Sequence, residues 1–171
     1  MKTTIKAILT ITTVVASASA SFAQATASCS ANITTPISIV KTVDMSFGNI
    51  AVSATAGGTA ILTPAGTRST SGAGGVVLPA NTGMVAAAIF TVSGQPNFTY
   101  AITLPSSCTL SDGASHSMNV NAFNSLPSYT GTLGTSGSQT IRVGASLNIP
   151  AGQAPDIYTN ATAIPVTVNY N

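Results

Sequence analysis

Charge is what this chain has least of: five Lys or Arg and three Asp among 171 residues, or 5 % charged, against about 25 % in a typical soluble domain. It has no Glu and no Trp, one His and two Cys. Each shortage excludes something. Binding nucleic acid takes a basic face to neutralise phosphates, and beyond the N-terminus only Lys41, Arg68 and Arg142 are basic. Acid–base catalysis needs proton carriers, and a lone His with three Asp supplies few, so the chain reads as no enzyme. Two Cys and one distant His are too few ligands for a metal, and no cofactor motif is present. The glycine-rich run Gly66 to Gly75 lacks the Gly-Lys-Ser/Thr ending of a phosphate loop and reads as a flexible hairpin loop.

The N-terminus is more informative. Lys2 and Lys6 precede an apolar stretch, Ala7 to Ala20, and small residues follow at Ser21-Phe22-Ala23, the order of a secretory signal peptide over residues 1–23. With that leader removed, Lys41, Arg68 and Arg142 balance Asp44, Asp112 and Asp156, so the mature chain is neutral and steers charged partners weakly. Its longest apolar run, Met84 to Phe90, is too short to span a bilayer. The expected location is outside the cell or on its surface, reached through the periplasm. In that oxidising setting Cys29 and Cys108 are expected to pair as a disulfide.

Apolar residues recur with period two and never at sustained helical spacing, so the fold expected over residues 34–171 is one all-β domain with little or no helix outside the signal peptide. Candidate strands, rich in Thr, Val and Ile, are Ile33 to Phe47, Thr59 to Thr63, Val76 to Leu78, Ala86 to Ser93, Phe98 to Leu104, Met118 to Phe123, Gln139 to Val143, Ser146 to Ile149 and Ala163 to Tyr170. Turn chemistry separates them, including Gly72-Ala73-Gly74-Gly75, Ser111-Asp112-Gly113 and Gly131 to Gly137. Many short strands between Gly and Pro turns read as an antiparallel sandwich or barrel.

From residue 25 to 47 the apolar residues Ala25, Ala27, Cys29, Ala31, Ile33, Ile37, Ile39, Val43, Met45 and Phe47 hold one face, with Thr35, Lys41 and Val40 as the breaks. One straight strand of that length would span about 75 Å. A domain of this size is roughly 40 Å across. Either the strand bends near Pro36 and switches sheets, or residues 24–33 leave the domain and pair with an open edge of another copy by β-strand addition. In the second case Ala25, Ala27 and Ile33 are the donor face. At the other end Ile164, Val166, Val168 and Tyr170 alternate with Pro165, Thr167 and Asn169, and could form the rim of the acceptor.

Asp44-Met45-Ser46-Phe47-Gly48-Asn49-Ile50, Phe90-Thr91-Val92-Ser93-Gly94, Tyr100 to Pro105, Val143-Gly144-Ala145-Ser146-Leu147 and Val166-Thr167-Val168-Asn169-Tyr170 together resemble the "domain of unknown function 4402" family of exported bacterial proteins. The resemblance runs from about Ile33 to the C-terminus. It implies an immunoglobulin-like sandwich, similar in pattern to the spore-coat-U-like subunits of archaic chaperone–usher pili. It also implies a surface or fimbrial role, with a periplasmic chaperone and usher as partners. One departure is Tyr158, which stands where many chaperone–usher pilins have a glycine.

The function these readings favour is a non-enzymatic, pilin-like or surface-assembled subunit. The alternative is a secreted adhesin or glycan-binding module using the loops Gly66 to Gly75 and Gly131 to Gly137, with Tyr129 as the one ring close by. Asp112 and His116, four apart among serines 111, 115 and 117, superficially suggest a hydrolase. In a loop or strand that spacing is not expected to align side chains.

Overall fold

The computed structural model describes residues 22–72, 74–160 and 163–171. Most of the leader read over residues 1–23, and Ala73 of the glycine-rich turn, lie outside them. The chain divides into two units, residues 1–33 and 34–171. In the first, residues 22–33 form no strand and every one of them is exposed.

The second unit is all-β, with no helix among its described residues. In chain order its strands begin with β1 (Ser38–Val43), β2 (Ser46–Phe47), β3 (Ala51–Val52), β4 (Gly58–Leu62) and β5 (Arg68–Ser71). Next come β6 (Val76–Val77), β7 (Val85–Ala86), β8 (Ala88–Ser93), β9 (Thr99–Thr103) and β10 (Ser107–Ser111). The last are β11 (Ser117–Leu126), β12 (Thr130–Thr132), β13 (Ser138–Ile149) and β14 (Thr167–Tyr170).

The organising element is β13. It runs unbroken through Gly144, where the residue pattern had suggested two strands, and Ile141, Val143, Ala145, Leu147 and Ile149 all face inward with period two. One of its edges is shared between two partners: Ser138–Val143 pairs with β8, and Ala145–Ile149 pairs with β4. Gly144 sits at that fork. A side chain there would overlap the Leu62 carbonyl and lie 2.6 Å from the carbonyl carbon of Thr63, so the chain leaving β4 passes directly over it. The other edge of β13 pairs with β11, giving a sheet of order β1-β8-β13-β11-β10 with the hairpin β4-β5 attached.

The long alternating segment does switch sheets, but not at Pro36. β1 pairs with β8 with a register break between Lys41 and Val43, and β2 then pairs with β7 in a separate two-stranded sheet. The turn between them is held by the Lys41–Asp44 ion pair. Arg68 fixes the next stretch by donating to the carbonyls of Phe47 (2.5 Å) and Asn49 (2.8 Å).

Two hydrophobic clusters fill the interior. One lies beneath the three-stranded sheet β12-β9-β14 and joins Phe90, Val92, Tyr100, Ile102, Leu133, Ile141, Val143 and Val168. The other lies over the β4, β11 and C-terminal β13 end of the large sheet and joins Phe47, Leu62, Val76, Val120, Ala145, Leu147 and Ile149. Met45 and Phe123 pack against both. The two clusters are covered differently. The first has a regular sheet over it; among the described residues the second has the short pairs β2-β7 and β3-β6 and the irregular segment 153–160.

Candidate functional site: strand edges and an apolar groove

That irregular cover leaves a groove of about 860 Å³ over the second cluster. Its floor is Cys108 and Leu110 from β10, Met118 and Val120 from β11, and Leu147 and Ile149 from β13. One wall is the 45–52 segment and the other is 153–160 with Ile164. Met84 and Ile157, both at its border, are 80 % exposed. Large apolar side chains left open beside an unfinished cluster mark a surface that gains by being covered.

The strand β10 forms one side of this groove and an edge of the large sheet. Cys108 and Leu110 are half-buried while Ser107 and Thr109 are exposed, so its apolar face looks into the groove. Its inner edge pairs with β11, Cys108 opposite Val120 and Leu110 opposite Met118. On its outer edge, among the described residues, Ser111 alone is bridged: Ser111 and Thr159 exchange N–H to C=O bonds of 2.8 and 2.9 Å. β14 is also an edge. It pairs with β9, and no strand pairs with its other side among the described residues.

The sequence-derived acceptor rim is therefore divided. Val166, Val168 and Tyr170 pack into the cluster under the three-stranded sheet, and Ile164 lies apart, at the groove. Tyr170 has a further task. Its hydroxyl accepts from the Gln95 N–H (2.6 Å) and donates to the Thr35 carbonyl (2.8 Å), while the Thr35 N–H donates to Gln95 Oε1 (3.2 Å). Residue 35, the second residue of the 34–171 unit, is thus fastened at the end of β14. The donor positions Ala25, Ala27 and Ile33 are exposed and outside any strand.

Both thiols are free in the structure, Cys29 exposed and Cys108 half-buried, so the expected disulfide is not formed in it. Burial pushes the Cys108 thiol up, which disfavours the thiolate and any role as a nucleophile. No group of three His, Cys, Asp or Glu that could hold a metal occurs among the described residues. No helix among them is long and apolar enough to cross a membrane.

Asp112 and His116 correct the sequence reading. The β10–β11 hairpin brings them together, His116 Nδ1 to Asp112 Oδ2 at 2.6 Å, despite the expectation that four-residue spacing outside a helix would not. Asp112 Oδ1 also accepts from the N–H groups of Ala114 (2.8 Å) and His116 (3.2 Å), and Ser111 Oγ accepts from Gly113. The cluster folds the hairpin tip. Desolvation pushes the Asp112 carboxyl up, but the His116 ring, the two backbone N–H groups and the His116 charge outweigh it and hold the group below the usual carboxylate range. Ionised Asp112 therefore favours the fold above the unfolded carboxylate range, and this contribution is lost as pH falls through the lowered folded value. Asp112→Asn should lower the urea midpoint near neutral pH and flatten its decline below about pH 4, measured by urea titrations across that range.

The glycine-rich loops proposed for ligand binding are shorter than the sequence suggested. Arg68–Ser71 is strand β5, paired with β4, and Thr130–Thr132 is strand β12, paired with β9. Gly131 is needed for packing, since a side chain there would run into the Tyr100 ring, whose hydroxyl donates to Gln139 Oε1 (2.7 Å). Tyr129 is 81 % exposed beside β12.

The motifs quoted from the sequence meet in space. A side chain at Gly94 would collide with the Tyr170 hydroxyl, and one at Gly48, where φ is +66°, would collide with the Thr82 carbonyl. Comparison with curated proteins and with solved structures gave no match. A family model does match, over residues 37–170, which takes in every strand from β1 to β14: the chain belongs to the family described as Domain of unknown function (DUF4402).

Proposed function

We propose that the chain is an exported, non-enzymatic structural subunit that assembles with copies of itself by β-strand addition, residues 24–33 of one copy serving as the donor. The observation that carries this reading is a pairing deficit on both sides. Residues 25–33 hold an alternating apolar face yet form no strand, and among the described residues no strand pairs with the outer edge of β14. The scarcity of charge supports it, because a contact between Ser, Thr and Asn surfaces leaves few ions to desolvate. A chaperone and usher that shield such edges during export are the partners this reading calls for.

Deleting Gln24 to Ile33 behind an intact leader tests it. The full chain is expected to give a series of oligomers by native mass spectrometry, and the deletion only monomer. Unchanged assembly of the deleted chain would overturn the donor role.

A further inference from the structure

We infer that the outer face of the large sheet around Arg142 docks against the Asp156–Ile157 corner of a second copy, with Arg142 and Asp156 forming an ion pair across the contact. This rests on the assembly reading above and adds a second contact to it.

The use of charge singles out these two residues. Six side chains of the 34–171 unit carry formal charge, and four are occupied within the chain. Lys41 pairs with Asp44, Asp112 pairs with the His116 ring, and Arg68 donates to the carbonyls of Phe47 and Asn49. Arg142 and Asp156 remain, one of each sign. Arg142 is exposed and makes no ion pair or hydrogen bond through its side chain among the described residues. Asp156 is exposed too, and its carboxylate accepts from the N–H of its own neighbour Ile157.

Each of the two stands beside apolar side chains that are also uncovered. Leu126, Arg142, Ile89 and Val43 lie opposite one another in one row across β11, β13, β8 and β1, a width of about 14 Å. Arg142 alternates with the buried Ile141 and Val143, so the row faces outward. Leu126 is 60 % exposed, and Val40, 63 % exposed, stands on the same face in the next row with Thr91 and Thr140. At the other site Asp156 precedes the exposed Ile157, and Met84 stands open at the border of the same groove.

Within one copy the two charges do not meet. The groove beside Asp156 lies over Leu147 and Ile149 on the inner face of β13. Arg142 leaves the outer face of that strand and stands seven residues before Ile149, about 23 Å along it. Their contact is therefore between copies and joins unlike surfaces, which repeats from copy to copy and closes into a ring or extends as a filament. An exposed ion pair alone contributes little. Here the apolar side chains supply contact area and the charges set its orientation, because either surface laid on its own kind brings like charges together. Arginine suits the centre of such a contact, since its guanidinium is more weakly hydrated than an ammonium.

The test compares the mature chain with Arg142→Asp, with Asp156→Arg and with the double exchange, by native mass spectrometry and sedimentation velocity over a concentration series. Both positions are exposed, so thermal midpoints should stay close to that of the parent chain. Each single exchange sets like charges against each other and should move assembly to at least about tenfold higher protein concentration. The double exchange should recover assembly, and so should an equimolar mixture of the two singly exchanged chains, whose surfaces then match only each other. Assembly unchanged by either single exchange would overturn the contact. Loss in the single variants with no recovery in the mixture or the double exchange would assign these charges to another partner and overturn the pairing. The two levels separate in the parent chain: oligomers that ignore every exchange contradict this contact alone, and a parent chain that stays monomeric contradicts the assembly reading and the contact with it.

Discussion

Gly144→Ala is expected to destabilise the folded unit by about 3 kcal/mol or more, a large part of the 5–15 kcal/mol available to a typical domain. The reason is the fork in β13. At Gly144 the strand passes from β8 to β4, and the backbone of Leu62, Thr63 and Pro64 lies within 2.8 Å of where a Cβ on Gly144 would stand. What blocks a methyl group there is main chain, which cannot rotate away as a side chain could. Relief would require β4 to lift from β13 and expose Ala60 and Leu62, both fully buried. Urea titration of the variant should show a much lower midpoint or an unfolded chain. A change under about 1 kcal/mol would mean that the crossing is looser than described.

The second large effect separates the two hydrophobic clusters. Ile141→Ala should cost about 4 kcal/mol, since Ile141 is fully buried beneath the three-stranded sheet and the void cannot reach solvent. Leu147→Ala removes a similar volume, but Leu147 forms part of the groove floor, where neighbours can relax and water can enter. Its cost in the monomer should be smaller, about 2 kcal/mol. Chemical denaturation of the monomer measures both. Equal costs in the monomer would show that the groove is already closed.

Much of the fold could be read from side-chain alternation, and the exceptions share a cause. β4, β8, β9 and β14 each bury every second residue, and the sequence shows it. β5, with Arg68-Ser69-Thr70-Ser71, has no apolar face, and β12 is three residues centred on Gly131, so neither has a hydrophobic period to detect. The apolar residues of β10 are Cys108 and Leu110, and that short pattern marks the part of the groove floor that sequence reasoning missed. Gly144 looked like a break because glycine commonly ends strands; here it admits another backbone. The Asp112–His116 pair escaped because hairpin geometry, not sequence spacing, decides which turn residues meet.

The poverty of charge takes on a second meaning in the structure. Lys41 and Asp44 turn the chain between β1 and β2, Arg68 anchors the carbonyls that follow, Asp112 shapes the β10–β11 tip, and Asp156 Oδ1 accepts from the Ile157 N–H beside the groove. Those charges are used at bends. The β14 edge and the Ser107–Leu110 stretch of β10 carry none of the Lys residues that commonly guard strand edges against pairing.

Assembly by strand addition requires residues 25–33 to become a strand between copies. Hydrogen exchange of those backbone amides, compared between the assembled protein and the monomer, measures this directly. Strong protection of residues 27–31 in the assembly, with fast exchange in the monomer, is the result expected. Fast exchange there in both states would contradict it.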